Sequence, residues 1–372
     1  MKAGPVTLTL LAALAVTAIV AVELAFKIDA RHSLGDTDDA MRLVMVRDLV
    51  GGRGWYDQLI TRLAPPQGTY MHWSRLVDAG EASLLVGLRQ LFEPVTAEWL
   101  MRVIWPLGWI LPLVVSALAM ARALGARLAL LLTTVLAAFD LQLYRQFIPG
   151  RIDHHNLQIV MAMTSLACAV AGRGRARAAI GAACASALGL AIGLEALPVH
   201  ALIGVFYALG VAREGVGRRA AGAYGLALCG AAGGLFLVQT PPWRWGVATC
   251  DAMGANLTVG LCIAGLAVFA AAAVRRPMAP LSRLLIAGLG GALAAGVCLA
   301  LDPACVHGAY GGVDADLRRL WLDKVQEAQP LWVIWRTARP SAIAATAVLV
   351  TSAIAVLALL ASDARREPGV AL

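Results

Sequence analysis

Two short stretches of this chain collect residue types that can do chemistry. The first, "GDTDDAMRLVMVRDLVGG" (35–52), spaces Asp36 and Asp38 as a D-x-D pair. Such a pair presents hard carboxylate oxygens suited to Mg²⁺ or Mn²⁺. The second, "FIPGRIDHHNLQIV" (147–160), sets Arg151, Asp153, His154 and His155 side by side at the mouth of an apolar run. A carboxylate and a neutral imidazole are both competent metal ligands, and a guanidinium beside them suits a phosphate. Each stretch also has a plainer reading. Asp36, Thr37, Asp38 and Asp39 fill the cap and first turn of a helix of about a dozen residues, where acids are favoured, and Asp38 can pair with Arg42 at i+4. Asp153 can cap the next helix and leave the histidines solvated. Between the two, "TYMHWSRLVDAGE" (69–81) offers His72, Arg75 and Asp78 as solvated charges or as part of a cleft, with Trp73 as an interfacial anchor.

The elements that must position these groups are apolar. The 372 residues are 60% hydrophobic and 15% charged, with mean hydropathy +0.74. That composition predicts an all-α polytopic membrane protein forming a single transmembrane domain over residues 1–372. Ten spans are predicted: Pro5–Phe26, Leu100–Ala121, Leu128–Phe139, Leu157–Ala171, Ala178–Leu194, Ala196–Val211, Ala220–Val238, Leu257–Val274, Leu284–Leu301 and Ser341–Ala361. Three segments between spans carry most of the polar residues: Lys27–Trp99, Asp140–Asn156 and Asp302–Pro340. Amphipathic runs in the first and last of these predict short interfacial helices, with Trp321, Trp332 and Trp335 in the last.

The net charge of +8 is distributed as a topology signal. Lys2, Arg122, Arg127, "GRGRAR" (172–177), Arg213, Arg218, Arg219, Arg275, Arg276, Arg283, Arg365 and Arg366 all fall on one side of the predicted spans. The positive-inside rule then places both termini in the cytoplasm and argues against nucleic acid as a partner. All six histidines and nearly all acids lie in or beside the outward segments, so function is expected on the outer face. The first apolar run is too long for a signal-peptide core and lacks a clear cleavage site, which favours a retained helix. Five of the seven cysteines fall within spans; Cys250 and Cys305 fall outward, where an oxidising compartment would allow a disulfide between them.

Order, spacing and loop position of three motifs resemble the GT-C glycosyltransferases, and most closely the membrane half of the oligosaccharyltransferase catalytic subunit. "TDDAMRLVMVRDLVGG" matches the family's first acidic motif and carries its metal-binding aspartate onto Asp38. "RIDHHN" matches the second, with Asp153 first and His155 in place of the family's second acid. "KVQEAQP" matches the third and places Glu327 at its glutamate. The family's W-W-D motif, which grips the acceptor sequon, does not occur in this chain. Either the acceptor differs from Asn-X-Ser/Thr or the chain is part of a longer protein.

The resemblance implies a metal-dependent glycosyltransferase that moves a sugar from a polyprenyl-phosphate-linked donor to an acceptor whose identity stays open. It implies Asp38, Asp153 and Glu327 as catalytic residues, and Asp36, Asp38, Asp153 and His155 around a divalent Mg²⁺ or Mn²⁺. Arg151, with Arg336 and Arg339 by analogy with a later family arginine, is implied at the donor phosphate. The expected setting is the inner membrane of a bacterium, with the site on the periplasmic face and membrane lipid around the spans. Two other classes stay open: an ion-coupled transporter or flippase, which could use Glu23 and Glu195 near span ends, and a non-catalytic subunit of a glycan-synthesis complex.

Overall fold

Alanine, leucine and glycine fill long segments of this chain without a proline to interrupt them, and those segments are helices in the computed structural model of the protein. The structure describes residues 34–123, 145–172, 174–274, 277–325 and 331–339, together with 14–18, 20–22 and positions 329, 343 and 346. Two units divide the chain, Met1–Gly311 and Gly312–Leu372.

In the first unit, α1 (Thr37–Val50) starts at a capping box. The Asp36 side chain accepts from the Asp39 amide, and the Asp39 side chain accepts from the Asp36 amide. The helix ends at Gly51, as its glycine pair predicts. A small antiparallel hairpin, β1 (Leu59–Ile60) and β2 (Thr69–Tyr70), pairs Leu59 with Tyr70. Helix α2 (Arg75–Leu88) follows, capped by Ser74. Leu43 and Val46 of α1, Ala82 and Leu85 of α2, and Ala97 and Met101 of α3 (Pro94–Gly108) form one core cluster, which Ile152 completes. Thus the segment ahead of the second predicted span is a packed helical layer rather than a surface loop.

Helix α3 and α4 (Ile110–Ala123) together make a 30-residue apolar stretch. Then come α5 (His155–Ala171), α6 (Ala176–Ile192), α7 (Leu197–Leu209), α8 (Val216–Gln239), α9 (Ala255–Ala273) and α10 (Pro280–Leu301). The α5–α6, α8–α9 and α9–α10 pairs pack as sequential neighbours, and α6 packs on α8. Small residues set the distances: a Cβ at Gly225 of α8 would overlap the Gly265 carbonyl of α9, and the converse holds for Gly265.

Four helical stretches among the described residues are long and apolar enough to cross a membrane: Pro94–Ala123, Val216–Gln239, Ala255–Ala273 and Pro280–Leu301. They correspond to four of the ten predicted spans. Three more predicted spans are apolar helices that stop short, at 17, 17 and 13 residues for α5, α6 and α7. Turns at Gly172 and Gly174 and the break at Gly193–Ala196 end α5 and α6 before the ~20 residues of a full crossing. Pro5–Phe26, Leu128–Phe139 and Ser341–Ala361 lie wholly or largely outside the described residues.

Cys250, after α8, and Cys305, after α10, form a disulfide across a sequence separation of 55 residues. In the second unit, α11 (Ala315–Leu320) and α12 (Leu331–Thr337) are short helices, and Trp321, next to α11, and Trp332, in α12, are exposed.

Candidate functional site

The N-terminus of α1 and the segment that enters α5 meet through one buried carboxylate, Asp39. Its Oδ1 accepts from the amides of Ile152 (2.7 Å) and Asp153 (2.8 Å). Its Oδ2 accepts from the Asp36 amide at 3.1 Å and from Arg151 Nη1 at 2.9 Å. Arg151 is held from two sides: Nη1 also pairs with Asp36, while Nε and Nη2 donate to Gln146 Oε1 at 3.2 and 2.8 Å. Gly35 leaves room for this, because a Cβ there would overlap Arg151 and Asp39. The D-x-D pair is therefore split. Asp36 caps α1, accepting from the Asp38 and Asp39 amides, and clamps Arg151, whereas the Asp38 carboxylate is exposed and makes no hydrogen bond among the described residues.

Asp39 hands the chain directly to Asp153, His154 and His155. Each of these three offers a ligand atom, and the three atoms lie within 4.8 Å of one another. Asp153 Oδ1 is 2.5 Å from His154 Nδ1, and Asp153 Oδ2 is 3.4 Å from His155 Nε2. Asp153 does not cap α5 as predicted; the cap position is His154, which makes no side-chain cap bond. The carboxylate turns sideways to the two imidazoles instead. His154 Nε2 faces Glu195 Oε1 at 3.3 Å, from the turn between α6 and α7, and the His154 ring packs against His155 and Trp73.

Behind the site lies a fully buried ion cluster. Arg42 Nη1 pairs with Asp78 at 2.7 Å, and Arg75 Nη1 reaches the other Asp78 oxygen at 2.9 Å. Arg42 thus pairs with α2 and not with Asp38 at i+4, because its side chain points into the α1–α2 interface. Its Nη2 lies 3.8 Å from Asp153 Oδ1, and its guanidinium covers the Trp73 ring at 4.7 Å. Trp73 is therefore a wall of the site. Arg75 also donates to the Trp55 and Asp57 carbonyls, which ties the hairpin down. Glu81, one turn along α2 from Asp78, is buried with no hydrogen bond to either oxygen.

No protein-family model, no curated protein and no solved structure matches this chain. Its chemistry has to be read from its own geometry and charge.

Burial pushes the Asp39 carboxyl up, to about 6, against the pull of Arg151 and the Asp153 amide. Burial, and then the charges of Asp153 and Asp36, raise Asp38 as well, which places Asp38 within electrostatic reach of the Asp153 cluster. Burial raises the Glu81 carboxyl well above the carboxylate range, against the pull of the Arg42 charge. Burial also works against charge at Asp153, yet the His154 hydrogen bond and the His154, His155 and Arg42 charges hold its carboxyl below the usual range. His154 is pushed up to about 9: burial opposes its charge, but the hydrogen bonds to Asp153 and Glu195 prevail. Those to His154 and Gln158 likewise bring Glu195 down to about 2 despite burial.

One feature of this geometry suits a cation. Asp153 Oδ2 is buried and accepts no hydrogen bond, and it faces His155 Nε2. Neighbouring ligands ~2.0–2.1 Å from an octahedral Mg²⁺ stand roughly 2.9 Å apart, so the 3.4 Å between these two atoms has to close by only about half an ångström to hold one ion. The other cluster of this kind, Cys250, Asp302 and Cys305, has its two sulfurs consumed in the disulfide. Arg336 and Arg339 lie in the second unit and are exposed, and Glu327 lies outside the described residues.

A cavity of about 490 Å³ runs along α7 between α8, α9 and α10. Leu197, Val205, Leu209, Leu261 and Leu284 line it, and its polar corner is Ser186, His200 and Tyr224. The same turn that carries Glu195 leads into α7. Sequence reasoning reached Asp36, Asp38, Asp153 and His155 but passed over Asp39, Arg42 and Glu81 as site residues. The D-x-x-D spacing of Asp36 and Asp39 was the available signal for the first; nothing local signals the other two.

Proposed function

We propose that the protein is a polytopic membrane glycosyltransferase of GT-C type, which moves a sugar from a polyprenyl-phosphate-linked donor to an acceptor at the outer face. The observation that carries this reading is the buried, unbonded Asp153 Oδ2 facing His155 Nε2. Asp38, Asp153 and His155 would hold a divalent Mg²⁺ or Mn²⁺. When bound, such an ion neutralises the charge that gathers on a leaving phosphate.

The remaining residues act by position and charge. Asp39 and Arg151 hold the α5 entry segment against α1. Arg151 is committed to that clamp, so the donor phosphate falls to Arg336 and Arg339 in this reading. Glu327 would orient or deprotonate the acceptor, as the family resemblance implies. The cavity along α7 offers a donor's prenyl chain an apolar surface of the size typical of ligand sites. Ten spans, cytoplasmic termini and a bacterial inner membrane complete the proposal.

The carrier reading draws on His200, a buried imidazole on the cavity wall whose Nδ1 meets Ser186 Oγ at 3.1 Å. One experiment separates the classes. The protein is purified in detergent, stripped with chelator and melted with and without Mn²⁺ or Mg²⁺, beside Asp38→Asn and Asp153→Asn. A cation binding only the folded state at a hundred times its Kd adds about 2.7 kcal/mol. A rise in wild type that both variants lose, together with loss of sugar transfer from polyprenyl-phosphate donors, supports the enzyme. No rise in wild type removes the cation from the proposal and brings the carrier and scaffold readings forward.

A further inference from the structure

Glu195 is more than half exposed, and it comes from an element that no other site residue shares. The α6–α7 turn delivers it past Gly193, where a Cβ would overlap Gln158 and Glu195. One Glu195 oxygen accepts from Gln158 Nε2, and the other faces His154 Nε2 at 3.3 Å. His154 Nδ1 in turn meets Asp153 Oδ1 at 2.5 Å. Both ring nitrogens thus face carboxylates, and the ring is held between His155, 4.5 Å away, and Trp73, 5.9 Å away.

The consequence falls on the other Asp153 oxygen. A carboxylate fixed at Oδ1 by His154 has one rotation left for Oδ2, and in this structure that rotation points Oδ2 at His155 Nε2, 3.4 Å away. Hydrogen-bonded partners of a ligating carboxylate set its orientation, and losing such partners typically weakens metal binding ~10–100-fold.

We propose that Glu195 is a positioning residue for the cation site, acting through His154 to hold the Asp153 carboxylate with Oδ2 turned toward His155. The proposal rests on the cation reading above and adds a residue from a third element to it. It also predicts that this residue can be lost without loss of the fold, because the Glu195 side chain is 54% exposed whereas Asp153 is 2% exposed.

The test is Mn²⁺ affinity, by titration calorimetry on chelator-stripped protein in detergent, paired with melting in chelator. Wild type, Asp153→Asn, Glu195→Gln and Glu195→Ala are compared. The expected result is loss of binding in Asp153→Asn and a ~10–100-fold weaker Kd in the Glu195 variants, with their chelated melting unchanged. Wild-type affinity in both Glu195 variants overturns the positioning role while the cation reading stands. A fall in chelated melting that tracks the affinity loss also overturns it, since Glu195 would then support the fold. Absence of Mn²⁺ binding in wild type overturns both.

Discussion

Asp38 and Asp39 share a helical turn, yet Asp39 has no solvent contact while the Asp38 carboxylate is exposed and makes no hydrogen bond among the described residues. Their replacement by asparagine should separate two kinds of loss. Asp39→Asn removes the charge that balances Arg151 and halves the acceptor capacity facing two amides. Breaking a buried pair of this kind costs about 3–5 kcal/mol, so chelated Asp39→Asn should melt well below wild type. Asp38→Asn should melt as wild type does in chelator, or slightly higher, since it relieves repulsion from Asp153 and Asp36. It should lose only the cation-dependent rise. His154 provides a pH test. Its folded value of about 9 lies above the ordinary 6.5, so its bonds to Asp153 and Glu195 contribute fully below about pH 6.5 and fade as pH rises through about 9. Glu195 is held down at about 2 against an ordinary 4.5, but its side chain is more than half exposed, so solvent screening leaves its pairing with His154 little weight in stability. Chelated wild type should therefore lose stability between about pH 6.5 and 9, and His154→Gln should flatten that slope. The sequence announced the cap, because Asp36 and Asp39 stand at capping-box spacing, but nothing within one turn names Arg151, 112 positions away, as the partner.

At the scale of elements, local pattern and tertiary contact divide the legible from the hidden. The ends of α1, α8, α9 and α10 fall within a few residues of where caps, glycines and apolar length place them. The α1–hairpin–α2 layer was hidden, since its burial comes from ion pairs between helices: Arg42 to Asp78, and Arg75 to the hairpin carbonyls. Charged residues in such pairs read in the sequence as a solvated surface. The layer docks on the bundle through Trp55 Nε1 on the Val238 carbonyl and Ser74 Oγ on Gln239 Oε1, both at the end of α8. The segment after α8 is itself tied to the end of α10 by the Cys250–Cys305 disulfide. Closing a loop of 55 residues removes about 4 kcal/mol of unfolded-state freedom in the chain-entropy account. Melting with and without a dithiol reductant, beside a Cys250→Ser/Cys305→Ser variant, should show the reductant lowering wild type to the level of the variant. A reductant effect that persists in the variant would assign it to something other than this bond.

Across the whole first unit, charge sorts by the end of the bundle. Asp39 with Asp153, His154 with Glu195, His72 with Asp251 and Cys250 with Cys305 join segments that enter or leave helices at one end. Arg175, Arg177, Arg213, Arg218 and Arg219 occupy the turns at the opposite ends of α5 through α8. A bilayer turns this asymmetry into orientation, since arginine-rich turns remain on the cytoplasmic side. A disulfide at the acidic end agrees with that placement, because such bonds persist in oxidising compartments. The prediction is that cysteines introduced at Gly246 and Gly217 behave oppositely toward a membrane-impermeant thiol reagent. Gly246 lies in the segment after α8, and Gly217 lies in the first turn of α8. Gly246→Cys should label in intact cells, and Gly217→Cys only after permeabilisation, each on a background with Cys168, Cys184, Cys229, Cys262 and Cys298 replaced by alanine. The reverse pattern would put Asp38, Asp153 and His155 in the cytoplasm and remove the proposed outer-face transfer. The physical content of the expected pattern is that one set of charges serves twice. The arginines of the cytoplasmic end hold the chain in one orientation, and the opposite end is left to carboxylates and imidazoles whose own arginines, Arg42 and Arg151, are already paired with Asp78, Asp36 and Asp39.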